Sequence, residues 1–193
     1  MVGVADEPAI PRPVLAVAIG LAVLLAVAVA GIGGYATYTE NQRQAAVEQA
    51  ERERRTGPLP LAPVPAPDAG SPGCGAVLAA LPEEMPVGDA RVPRRELAEP
   101  APEATAAWGD AEHDPITVRC GVGAPAELTP TSPLLSVSGV GWLEVSTGGN
   151  TSYFAVDRPV LVALTMPEGS GSAPLQELSR VVGDALPRTP VFG

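Results

Sequence analysis

From Pro13 to Thr39 the chain carries no charged residue, and the centre of this run reads VLAVAIGLAVLLAVAVAGIGGY. About twenty apolar residues at 1.5 Å each span a bilayer, so the pattern predicts one transmembrane helix over residues 13–39, after a short N-terminal tail of residues 1–12. Tyr35 and Tyr38 fall where interfacial aromatics are found. A cleaved signal peptide is the rival reading. Its apolar stretch would be shorter and its head basic, whereas the head here has one Arg and two acids. An uncleaved anchor fits better, although Ala28-Val29-Ala30 offers a small-x-small site. Ala22, Ala26, Ala30 and Gly34 repeat every four residues, a spacing that permits close helix contact and a homodimer, as any Ala-rich helix can do by chance.

The pattern then turns polar. Residues 40–56 predict a charged helical stalk, with Glu48–Arg52 and Glu51–Arg55 in the favourable i,i+4 order and no continuous apolar stripe. Residues 57–73 contain six prolines. They predict an extended linker of about 3 Å per residue, reaching roughly 50 Å.

Periodicity resumes at the domain of residues 74–190. Ser71 and Pro72 suit an N-cap and the first helical position. Cys74, Val77, Leu78 and Leu81 follow at i, i+3, i+4 and i+7, and Pro82 ends the helix. Residues 83–104 look like a surface loop. Alternation predicts strands over Ile116–Val122 and Leu135–Ser138; Trp142–Val145 reads as a short strand after Gly139-Val140-Gly141, and Thr151–Asp157 and Val160–Met166, which flank Asp157-Arg158-Pro159, read as a hairpin. Leu175, Leu178, Val181, Val182, Ala185 and Leu186 form a last helical stripe. The order helix, strands, helix predicts an α+β domain with an antiparallel or mixed sheet flanked by an N-terminal and a C-terminal helix.

Charge removes several functions. All twelve cations are Arg; residues 1–56 hold five against six acids, and residues 57–193 hold seven against sixteen. An acidic domain argues against nucleic acid and against anionic headgroups. Orientation is pulled two ways. Arg43, Arg52, Arg54 and Arg55 against Arg12 place the C-terminal side in the cytoplasm by the positive-inside rule.

The two cysteines pull the other way. Cys74 lies on the apolar face of the first domain helix and Cys120 on the apolar phase of the 116–122 strand, so both aim at one core. A disulfide between them would staple the domain and would persist outside the cytoplasm; two separate buried thiols are the alternative. Two cysteines are too few for zinc, and no CxxC pair is present.

No catalytic set emerges. Asp110, Glu112, His113 and Asp114 read as a solvated acidic turn rather than metal ligands. His113 is the single histidine, no Gly-x-Ser-x-Gly elbow is present, and the Gly-rich Glu168–Ser172 lacks a phosphate-binding lysine. No cofactor is expected. Trp108, Arg119 and Trp142 could surround a small ligand or an anion, against the plainer roles of core packing for the tryptophans and a salt bridge for Arg119.

The segments AAWGD and ITVRCGV, with CGAVLAALPEEM upstream and TSPLLSVSGVGWLEV downstream, resemble the actinobacterial family called domain of unknown function 3515, over about residues 74–190. The resemblance rests on Cys74, Leu81, Pro82, Trp108, Gly109, Arg119, Cys120, Gly121 and Trp142. It implies a small membrane-anchored or secreted envelope protein and transfers no catalytic residue. The expectation is a non-enzymatic, single-pass protein of the cell membrane, its domain outside the cytoplasm and free to contact another envelope protein.

Overall fold

The computed structural model describes residues 12–192; at residues 12–19, 28–30, 32–34, 36 and 37 it describes the helical backbone alone. Helix α1 runs through Arg12–Thr56 without a break, so the apolar run and the charged stretch share one helix. Among the described residues no helix is long and apolar enough to cross a membrane. The described side chains of the apolar run are nonetheless exposed on all sides: Leu21, Val23, Leu24, Leu25 and Val27 are 58–73% accessible. The expected small-residue stripe is described only in part, since the side-chain positions of Ala30 and Gly34 fall outside the described residues. The ion pair on the charged stretch joins Glu40 to Arg43. The chain divides into two compact units, residues 1–50 and 51–193.

The second unit contains eight strands in one antiparallel sheet. They are β1 (Glu84–Val87), β2 (Ala90–Arg95), β3 (Thr105–Trp108), β4 (Ile116–Cys120), β5 (Leu135–Val137), β6 (Val140–Thr147), β7 (Asn150–Ala155) and β8 (Val162–Pro167). Their spatial order is β1-β2-β3-β4-β8-β7-β6-β5. Each of β1 to β4 pairs with its chain neighbour, and β5 to β8 do the same. The two runs meet where β4 pairs with β8, Cys120 opposite Val162.

Helices α2 (Pro72–Ala80) and α3 (Ala173–Ala185) pack against each other and the sheet. The Ser71 hydroxyl accepts the Cys74 amide at 3.3 Å, as an N-cap should. Pro82 pushes Leu81 into extended backbone, which ends α2. Val77, Leu175, Leu178 and Val182 are buried on Val118, Val140, Val162 and Leu164. The α+β architecture with an N-terminal and a C-terminal helix is therefore present, and the sheet is antiparallel throughout.

Two regions differ from the sequence reading. Residues 83–104 are not a loop: they supply β1 and β2, joined at Gly88 in a left-handed conformation. Met85 and Val92 sit opposite each other and are buried, although Pro86 and Pro93 disguise the alternation. β3 carries no strand signal, because alanines, depleted in strands, fill its centre and its last three residues are all buried, leaving no alternation.

The second difference is the Pro-rich stretch. It is extended, as its prolines require, yet its backbone is bonded into the domain. Leu59 bridges Leu97 in parallel, through Leu59 N–H to Glu96 O and Ala98 N–H to Leu59 O. Gly123 N–H donates to Pro65 O and Asp68 N–H to Gly121 O. Arg95 donates to the carbonyls of Arg54 and Gly57, and Arg119 to that of Ala62. The strap carbonyls of Gly57, Leu59, Ala62 and Pro65 are taken up in this way, and its Leu59 and Asp68 amides donate in return. Residues 57–71 form a strap on the domain and Pro72 and Gly73 open α2, so the spacing role expected of residues 57–73 lacks the free length it requires.

Candidate functional site

The sheet has two faces of different character. In β4 the side chains of Ile116, Val118 and Cys120 enter the core under the helices, and Thr117 and Arg119 take the opposite phase. Trp108 and Trp142 belong to the helix side. Both are fully buried; the Trp108 indole donates to Pro82 O at 3.1 Å and the Trp142 indole to the Ser179 hydroxyl at 2.9 Å. Arg94 lies over the Trp108 ring, 5.4 Å from its centre. Trp108, Arg119 and Trp142 therefore do not share a pocket: the pleat sends the tryptophans to one face and the arginine to the other.

Arg119 lines a groove of ≈ 940 Å³ on the helix-free face. Its floor is the off-core phase of the central strands: Thr117 and Arg119 of β4, Ala163 and Thr165 of β8, Ser152 and Phe154 of β7. The rest of the lining comes from the strap, through Leu59, Leu61, Val64 and Pro65, and from the two ends of β4, Asp114-Pro115 before it and Val122 to Pro125 after it. The Ser152 and Thr165 hydroxyls bond each other at 2.8 Å, so these two floor side chains satisfy one another. Sequence reasoning missed every one of these residues except Arg119. A signal existed: Phe154 and Ala163 occupy the phase that open sheets give to water.

Arg119 does not make the salt bridge expected of it. Among the described residues no carboxylate lies within 4.0 Å of its guanidinium, which donates to Ala62 O at 2.9 Å. Burial pushes its pKa down. A smaller recess of ≈ 210 Å³ on its other side is shared with Glu103.

The acidic turn before β4 is a scaffold piece. Asp110 Oδ1 accepts the backbone N–H groups of Glu112 and His113 and lies 2.9 Å from His113 Nδ1. Burial pushes the Asp110 carboxyl up, and the His113 ring, the two amides and the His113 charge outweigh it, so that its pKa lies below the ordinary value. Among the described residues no three His, Cys, Asp or Glu side chains are placed to hold a metal ion.

Cys74 and Cys120 form a disulfide, with their Cα atoms 5.4 Å apart. It ties α2 to the end of β4 at the edge of the groove. Next to it Gly121 is in a left-handed conformation, φ +76°, and a Cβ there would stand 2.3 Å from Asp68 C and Ala69 N of the strap. A buried polar group missed from sequence lies in the β7–β8 connection. Asp157 pairs with Arg158 at 2.8 Å and Arg188 at 3.3 Å, and it receives the Gly141 amide at 2.9 Å. It closes the hairpin against β6 and the C-terminal tail.

These features define a disulfide-stapled α+β domain on an antiparallel sheet, helices on one face and a groove on the other. The chain belongs to the family described as protein of unknown function (DUF3515), whose model matches residues 17–191. The match reaches well beyond residues 74–190 and takes in the strap and most of the apolar run. No curated protein and no solved structure matches the chain.

Proposed function

We propose that this is a single-pass, membrane-anchored, non-enzymatic binding protein of the cell envelope, its domain outside the cytoplasm and its ligand held in the Arg119 groove. The groove carries this reading. Small-molecule sites are concave, mostly apolar and marked by few polar groups. Here ≈ 940 Å³ is lined by Leu, Val, Pro, Ala and Phe side chains around one guanidinium. The Cys74–Cys120 bond supports the compartment, because such bonds persist where thiols are not kept reduced. The uncharged run of residues 13–39 and the exposed apolar side chains between Leu21 and Val27 support the anchor. Partnership with another envelope protein, and pairing of anchors through Ala22, Ala26, Ala30 and Gly34, are compatible with this arrangement.

Topology and groove are read together by one substitution. Ala124 is exposed at the groove rim. In intact cells, Ala124→Cys reacts with a membrane-impermeant maleimide as completely as after lysis. Labelling that requires lysis would place the domain inside and overturn the reading.

A further inference from the structure

The lining of the groove carries information about its occupant. Most of it is aliphatic or aromatic, and two hydroxyls of the floor, Ser152 and Thr165, are paired with each other. Four other polar side chains line it: Asn150 and Asp114 toward the Pro115 end of β4, Thr117 in its middle, and Arg119 toward the Cys120 end. Arg119 lies four residues beyond Pro115, roughly 13 Å at strand rise. It is the one cation of the lining. It spends one donor on Ala62 O and has no carboxylate within 4.0 Å among the described residues. A half-buried guanidinium without a counter-ion favours an anion beside it.

The surrounding charge limits that anion. Residues 57–193 hold sixteen acids against seven Arg, so repulsion grows with each charge on the ligand. Asp114 at the far end and Glu103 behind Arg119 disfavour a second negative group. A polyphosphate or an acidic peptide is excluded on these grounds. A single anionic head with an apolar body fits.

We infer that the groove binds a single-chain anionic amphiphile, its head on Arg119 and its chain along β4 between the strap and Phe154. This rests on the reading of the groove as a ligand site. The head is a carboxylate, as in a free fatty acid, or a phosphate ester, as in a single-chain lipid; the guanidinium accepts either as a bidentate partner.

The test uses the full chain in phosphatidylcholine nanodiscs, titrated calorimetrically with laurate, dodecyl phosphate and dodecanol, with empty nanodiscs subtracted. Laurate or dodecyl phosphate binds saturably at one site, and the tighter of the two identifies the head. Dodecanol binds about tenfold more weakly, the worth of one charged hydrogen bond. Arg119→Gln removes that difference, Arg119→Lys keeps part of it, and Ala163→Leu, which fills the floor, weakens all three ligands. Unfolding midpoints confirm that each variant is folded. Equal binding of dodecanol and laurate, abolished by Ala163→Leu, would overturn the anionic head and leave the groove as a ligand site. No binding above empty nanodiscs would overturn both.

Discussion

Gly121 shows how closely single residues fix this domain. Its left-handed backbone alone disfavours any side chain, and the strap backbone occupies the place of a Cβ at 2.3 Å. Flexible side chains can give way to a new methyl, but backbone anchored through Asp68 N–H to Gly121 O cannot do so without breaking that bond. Gly121→Ala is expected to cost about 2–4 kcal/mol, from conformational strain and the displaced strap. Chemical denaturation measures it, with Gly123→Ala as control, since a Cβ there meets nothing within 4 Å. Asp110 provides a second residue-scale effect. Its folded pKa is held down, so its contribution is complete above the unfolded carboxylate value of about 3.9 and is lost as pH falls through the lower folded value. Below the unfolded carboxylate value the stability difference between the parent and Asp110→Asn should shrink as pH falls further. A difference that grows in that range would refute the sign.

Among elements, the disulfide and the strap do the connecting. Cys74 and Cys120 are 46 residues apart, and closing that loop restricts the unfolded chain by about 4 kcal/mol on the entropy estimate. Replacing both with Ala should lower the denaturation free energy by that order while far-ultraviolet dichroism still reports strands and helices, because the α2–α3 layer retains its own apolar contacts. Helix α2, β4, β5 and helix α3 were legible in the sequence through a period of 3.6 or 2, and β6 to β8 through the Gly-rich and Asp157-Arg158-Pro159 turns that bound them. Strands β1 and β2 were not, since Pro86 and Pro93 are tolerated only where a ladder bond is dispensable. The strap was read as a spacer for a related reason. Its prolines identify extended backbone, but local sequence does not say whether Arg95, Arg119 and Gly123 will come to its carbonyls.

At the scale of the whole molecule, the two units have opposite surfaces. In the first, the described side chains of Leu21, Val23, Leu24, Leu25, Val27 and Val47 are exposed along α1. Residues 51–193 carry the excess of acids and turn most of their aliphatic side chains inward or into the groove, Leu134 and Leu135 being exposed. The Arg count around the apolar run and the disulfide argue for opposite orientations of the domain. The maleimide reaction at Ala124→Cys separates them, because it reports the compartment of the groove itself.

The sequence by itself determined the uncharged run, the acidic domain, the capped helix at Ser71-Pro72, the alternation of β4 and the aim of both cysteines at one core. These are local or compositional properties, set by periods, caps and charge. It also identified Arg119 as the residue pointing away from that core. Only the tertiary structure decided what lies on that other side. Trp108 and Trp142 went under the helices because they share the phase of Val118 and Val140. The strap folded back because its carbonyls, and the amides of Leu59 and Asp68, found partners far along the chain. Together these placed an arginine without a counter-ion in an apolar groove, a relation among residues 59 to 167 that no local pattern encodes.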